Sequence, residues 1–324
     1  VGVSKGTEAM RAYGELLFAT IFWGFGFIAA IWAFDGIGPI WMTSIRFVIA
    51  FVMLDLIYRS KVFGLKPLHY RLDEFISVLQ PGFFLFALLT LQTCGLKYTT
   101  ATKSGFITVL YVLFIPIFEK IFFRLQIRKM LMLWIALAVV GTAMICGALN
   151  ESGVSPDFLG SFNVGDGLTL LCAISAAAHI IVTGKMMSSS AKKQIAPVTF
   201  HIYQSIWVAI FAGVLGTFVE GFGWVHLMVS GAWTLKAWAG LLELGILSSG
   251  VAFLIQVRGQ RTVLPSTVGI IVLLESPWAL VFSVWLLHEH LTTVQVAGAG
   301  LILAAALAES VSQMVVEMKN KPLV

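Results

Sequence analysis

Charge is what this chain has least of. Asp, Glu, Lys and Arg together make up 11% of its 324 residues, against about 25% in an ordinary soluble domain, and this excludes a water-facing globular body. Hydrophobic residues make up 59%. Their runs show no period-two alternation, which excludes a lipid-embedded β-barrel. Cysteine is scarce, and Cys94, Cys146 and Cys172 all fall inside apolar runs. An odd count in such places argues against a disulfide framework and for packing residues, not metal ligands. A phosphate-cradling loop, a nucleophile–base set and a metal-ligand constellation are also missing, so neither enzymatic activity nor a metal or other cofactor is expected. His288-Glu289-His290 does not change this, because histidines at i and i+2 diverge on a helix, whereas a zinc pair needs i and i+4. No cleavable signal pattern precedes the first apolar run, which is expected to act as its own insertion signal.

What the chain does have is segments of membrane length. Ten runs approach the roughly 20 apolar residues needed to cross the hydrocarbon layer: 13–34, 39–58, 75–96, 101–123, 131–149, 167–187, 197–219, 237–257, 264–286 and 293–312. Backbone polar groups in such spans must be satisfied internally, which predicts helices. The connections are short and leave no room for a soluble catalytic domain. With the N-terminus in the cytoplasm, 17 Lys and Arg residues fall on the cytoplasmic side, while only Lys97, Lys103 and Lys236 fall on the other. By the positive-inside rule both termini are expected to be cytoplasmic. The same rule accounts for the net charge of +5, so no nucleic-acid partner is implied. Trp32, Trp41, Trp224 and Trp233 lie near the expected outer ends, as interface aromatics do.

The chain repeats itself. Displaced by 164 positions, Gln92 meets Gln256, Gly95 meets Gly259 and Lys97 meets Arg261, followed by Gly105 with Gly269, Leu110 with Leu274 and Leu137 with Leu301. Near the start of each half, Gly14-Glu15 echoes Gly165-Asp166. Five spans per half is an odd number, so the second half must enter the membrane inverted. Secondary transporters with that plan bind near the midplane where the halves meet. The expected fold is an all-α membrane protein, ten transmembrane helices in two inverted five-helix repeats. Its expected layout is a cytoplasmic segment 1–12, a first repeat 13–149, an outer linker 150–164, a second repeat 165–313 and a cytoplasmic tail 314–324.

Several motifs carry a family resemblance. They are Arg46-Phe47 in the second span; Thr102-Lys103-Ser104-Gly105-Phe106-Ile107-Thr108 with Tyr111 and Pro116 in the fourth; Phe162-Asn163-Val164-Gly165-Asp166-Gly167 with Ala178-His179-Ile180 in the sixth; and Leu274-Glu275-Ser276-Pro277 with His288-Glu289-His290-Leu291 around the ninth. Over residues 13–313 the chain resembles the drug/metabolite transporter superfamily of the EamA type. Ser276 departs from the pattern by separating the glutamate from the proline. The resemblance implies a bacterial inner-membrane carrier of small organic solutes, mostly outward, and leaves the cargo open.

Arg46 is the one Lys or Arg that falls in neither a loop nor a helix end. A cation in hydrocarbon costs at least a few kcal/mol and calls for a partner or a cavity. Its planar fork suits a substrate carboxylate or phosphate, and a structural pair with a carboxylate or helix carbonyls is the alternative. Glu275, equivalent to Tyr111 in the repeat, can hold an ammonium group, carry a coupling proton, or serve the turn broken by Pro277. His179 is a cavity donor, a proton relay or a satisfied core histidine. Tyr203 and Gln204 in the seventh span, with His201 one turn away, complete the polar candidates. Trp23, Phe27, Tyr111 and Trp278 are candidate aromatic walls. Gly24, Gly26, Gly298 and Gly300 are expected to permit close helix contact, and the Glu119-Lys120 pair reads as a helix end with Lys120 snorkelling outward.

The expected activity is alternating-access export of an amino acid or similar amphiphilic solute, with Arg46 on its carboxylate and Glu275 on its ammonium. Proton coupling is open, as is a monomeric or homodimeric state. A lipid or lysolipid transporter and a membrane-embedded solute sensor are the competing readings.

Overall fold

The computed structural model describes residues 5–60, 69–95, 98–99, 101–124, 126–150, 153–155, 162–188, 191, 194–288 and 290–319. Among them eight helices are long and apolar enough to cross a membrane. The expected spans 75–96 and 131–149 correspond to two shorter apolar helices, Leu79–Gly95 and Lys129–Ile145. At 17 residues each these are about 25 Å long, at 1.5 Å per residue.

The first half comprises α1 (Lys5–Ala33), α2 (Pro39–Arg59), α3 (Leu72–Ser77), α4 (Leu79–Gly95), α5 (Ala101–Val109), α6 (Tyr111–Phe123) and α7 (Lys129–Ile145). A two-residue hairpin, β1 (Leu149–Asn150) with β2 (Gly153–Val154), follows. The second half comprises α8 (Val164–Met187), α9 (Pro197–Val219), α10 (Gly223–Val229), α11 (Leu235–Glu243), α12 (Phe253–Gly259), α13 (Pro265–Val272), α14 (Glu275–Leu287) and α15 (Thr293–Lys319). Between α11 and α12 the chain is a π-helix, Leu244–Ala252.

Local sequence explains the starts. Pro39, Pro197 and Pro265 stand in the first turns of α2, α9 and α13, where a missing N–H costs nothing. Asn163 and Asp166 form a reciprocal capping box on α8, with Asp166 N donating to Asn163 Oδ1 at 3.0 Å and Asn163 N to Asp166 Oδ2 at 3.1 Å. Asp166 also accepts from Thr99.

The halves echo one another in backbone detail. α5 and α6 part at Leu110, and α13 and α14 part at Leu273–Leu274, 164 positions on. The chain leaves α6 at Arg124 and α14 at His288, both left-handed with φ +56. Those two positions are also 164 apart, and neither is a glycine. Side by side, α4 packs on α8, α2 on α9, and α7 on α15. Small residues set the approach: a Cβ on Gly141 of α7 would lie 2.6 Å from the Gly298 carbonyl of α15. Gly24 presses on Trp278, and Gly26 on Ser248. Gly300 is the correction to that expectation, for it is exposed on α15 and nothing among the described residues lies within 4 Å of an added Cβ.

Candidate functional site

Arg46 lies seven residues into α2, about 10 Å from its start. It is 8% exposed. Its Nε donates to Ser249 Oγ at 2.6 Å, and the guanidinium carbon lies 5.7 Å from the Phe47 ring centre. Among the described residues the hydrogen bond at Nε is the only one it makes, so both Nη groups of the fork are free of protein partners. Glu243, at the end of α11, is the carboxylate that acts on it electrostatically, without an ion pair within 4 Å among the described residues.

Ser249 belongs to the π-helix, and that backbone makes the site. Wider turns displace carbonyls from the usual ladder, and such segments recur at functional positions. Glycines let the segment lie against α2: a Cβ on Gly245 would be 2.6 Å from Ile49, and one on Gly250 2.6 Å from Met53. The Ser248 carbonyl accepts from Trp23 Nε1 at 3.2 Å. The Ser248 hydroxyl lies 3.0 Å from both the Phe22 carbonyl and Glu243 Oε1, and it donates to one of them at a time. Glu243 is 8% exposed, and its Oε2 has no partner among the described residues.

A second chain of bonds runs from the Ser249 carbonyl. His201 Nε2 lies 2.8 Å from it, Gln204 Nε2 lies 2.8 Å from His201 Nδ1, and His179 Nε2 lies 3.2 Å from Gln204 Oε1. One assignment satisfies every contact: each histidine neutral with its proton on Nε2, and the amide of Gln204 bridging them. His201, Gln204 and His179 are all buried.

The sequence candidates therefore divide. Arg46, His179, Gln204 and Trp23 meet around the π-helix, and the Trp23 ring lies 5.2 Å from that of Phe253. Glu275 lies elsewhere. Half-buried at the start of α14, it acts electrostatically on Tyr111 and Cys172. Tyr111 is 4% exposed and donates to the Gly269 carbonyl at 3.1 Å. The Trp278 ring is tilted 33° to that of Phe282 at 6.3 Å, and its Cβ seats Gly24. Tyr203 closes one end of the bundle, accepting from the Arg71 N–H at 2.7 Å beside a cavity of about 420 Å³. Phe27 is 46% exposed and outside the cluster.

Glu243, Ser248 and Ser249 were not among the sequence candidates. The signal was available, since Glu243 is a carboxylate inside an apolar run just as Arg46 is a cation inside one. Cavities open at both ends of the bundle, one of about 600 Å³ beside Asp35 and Pro39 and one of about 700 Å³ beside Arg11, Glu15 and Arg258.

Helices of membrane length around a charged, hydrogen-bonded interior define an integral membrane protein. The chain belongs to the EamA-like transporter family, whose model matches it twice, over residues 11–147 and 163–309. It is similar to an uncharacterized transporter of Archaeoglobus fulgidus, 28% identical over 306 residues, covering 94% of this chain and 88% of that one. Over 155 residues it is 29% identical to the uncharacterized transporter YetK of Bacillus subtilis, covering 46% of this chain and 44% of that one. A crystal structure at 16% identity superposes with a TM-score of 0.73 over 93% of this chain and 98% of the other, which shows a shared fold.

Proposed function

We propose that this chain is a secondary transporter that moves a small amphiphilic carboxylate, such as an amino acid, outward across a bacterial inner membrane by alternating access. The observation that carries the reading is Arg46, a buried guanidinium whose two Nη groups have no partner among the described residues. A planar double donor of that kind matches a carboxylate. Glu243, with an unpartnered Oε2, takes the ammonium end, the role that the sequence alone suggested for Glu275. The 164-residue repeat and its matching helix breaks support two inverted halves exchanging conformations around the site. The two shorter helices, α4 and α7, complete ten spans in this reading, with both termini cytoplasmic.

The test is thermal shift and proteoliposome flux with free amino acids and their methyl esters. Free amino acids are expected to stabilise and cross, and esters to do neither. Arg46→Ala is expected to weaken binding about tenfold or more, the worth of a charged hydrogen-bonded contact. Equal responses to acid and ester would sink the carboxylate assignment, and binding without flux would make the protein a sensor.

A further inference from the structure

A second buried charged cluster lies away from the Arg46 network, and the transport reading does not use it. It joins four segments. Glu119 on α6 is 6% exposed and accepts from the Ser266 N–H of α13 at 3.0 Å. Glu309 on α15 is 0% exposed; its Oε1 accepts from Thr267 Oγ1 at 3.0 Å and from Arg128, just before α7. Ser266 and Thr267 are adjacent, so the first turn of α13 brings the two carboxylates together. Each acts electrostatically within the group, with Arg128 and Glu309 both acting on Glu119.

The cluster does not balance. Two carboxylates face one guanidinium, which leaves one negative charge in excess. Glu309 Oε2 is fully buried with no partner among the described residues, and the amide nitrogen of Gln313, one turn on, is likewise unpartnered. A buried polar atom without a partner in a native fold calls for an explanation, and an uncompensated buried carboxylate is costly enough that protonation is the usual outcome.

We propose that Glu119 and Glu309 form a proton-binding site, the pair carrying one proton beside Arg128. Taking up a proton from water forms one carboxyl O–H and brings the cluster to zero charge. The proton belongs to the pair, as in other coupled carboxylates. A metal ion suits the site less well, because the guanidinium sits on Glu309 Oε1 and repels it. Arg128 is 31% exposed at its side chain, which gives the cluster a route to water. Of the other ionisable groups on the packed elements, Lys185 of α8 follows Gly184, which abuts Pro265, and is exposed. Lys120, Arg124 and Lys129 are exposed, Tyr13 of α1 sits in the apolar cluster with Val268 and Ile271, and Glu275 starts α14. Glu119 and Arg128 belong to the first family-matched segment, and Ser266, Thr267 and Glu309 to the second. Proton occupancy is therefore felt where the two halves meet.

Infrared difference spectra of the purified full chain between about pH 4 and 9 test this, a range that covers free and buried carboxyls alike. A protonated-carboxyl band that titrates in wild type is expected to vanish in Glu309→Gln and to vanish or move in Glu119→Gln. Arg128→Gln, which keeps both carboxylates and removes their cation, is expected to move the midpoint up by about one pH unit or more, and it reads the same site should a glutamine variant not fold. A band unchanged in all three variants overturns the proposal. So does a band that sodium ions abolish at fixed pH, which would assign the site to a metal cation.

Discussion

Arg46 and Glu243 form a buried couple held apart by the π-helix, and each depends on the other for compensation. Removing one leaves the other charge less compensated in a low-dielectric site, a loss of about 1–3 kcal/mol or more for a charged group. Arg46→Met is therefore expected to lower thermal stability strongly in detergent. Adding Glu243→Gln is expected to recover part of the loss, with a coupling of about 1 kcal/mol or more; additive losses would show that the two do not interact. Gln204 is the second residue of this kind. Gln204→Leu leaves His179 and His201 without a bridge, at about 1–3 kcal/mol for each buried group left unpaired, and a thermal melt reads the loss. A third case lies at the bundle end, where Tyr70 donates to Asp55 beside Arg59. Burial, with the bond to Asp55, raises the Tyr70 phenol above its ordinary range. The fold holds the neutral form, so the contribution is whole below about pH 10, the free tyrosine value, and is lost as pH rises through the higher folded one. The stability gap between wild type and Tyr70→Phe is expected to stay constant up to that pH and shrink above it. A gap that widens with pH would contradict this.

Elements read from the sequence and elements built by the fold part company at the eighth apolar run. Length and hydropathy placed helices at 39–58, 197–219 and 293–312, because an apolar run in lipid has few other ways to satisfy its backbone. They could not place the π-helix. Nothing in the periodicity of Leu-Gly-Ile-Leu-Ser-Ser-Gly-Val-Ala distinguishes five-residue from four-residue bonding, nor shows that Gly245 and Gly250 lie against Ile49 and Met53 of α2. Arg46 was legible because a cation in an apolar run has no ordinary explanation, and Gln204 with His179 because polar residues at mid-helix stand out. Glu243 and Glu309 were equally visible as carboxylates in apolar runs, but what they face is a tertiary fact. Glycines show the same limit. On α15, Gly298 and Gly300 look alike in sequence, yet Gly298 meets α7 and Gly300 meets nothing among the described residues. Gly141→Ala is accordingly expected to force α7 from α15 at about 1–3 kcal/mol. Gly300→Ala is expected to be neutral or to stabilise by up to about 1 kcal/mol through helix propensity. Parallel melts of the two variants check the contrast, and equal effects would mean that α7 and α15 do not approach at Gly141.

At the scale of the whole molecule, alternating access rests on antisymmetry: if one half is the other turned over, each conformation open to one face has a counterpart open to the other. Similarity between the halves does not establish this, since parallel repeats would share the same helix breaks. The left-handed exits at Arg124 and His288 offer a direct measurement. They are equivalent in the repeat, exposed, and set at φ +56 by non-glycine residues, so a cysteine at either position keeps the backbone that is already there. With Cys94, Cys146 and Cys172 replaced, Arg124→Cys is expected to react with an impermeant thiol reagent only after the cells are opened, and His288→Cys in intact cells. An odd number of spans separates equivalent positions in inverted halves, and an even number in parallel ones. Labelling of both cysteines from the same face would therefore remove the inversion, and with it the exchange of conformations that the proposed transport at Arg46 requires.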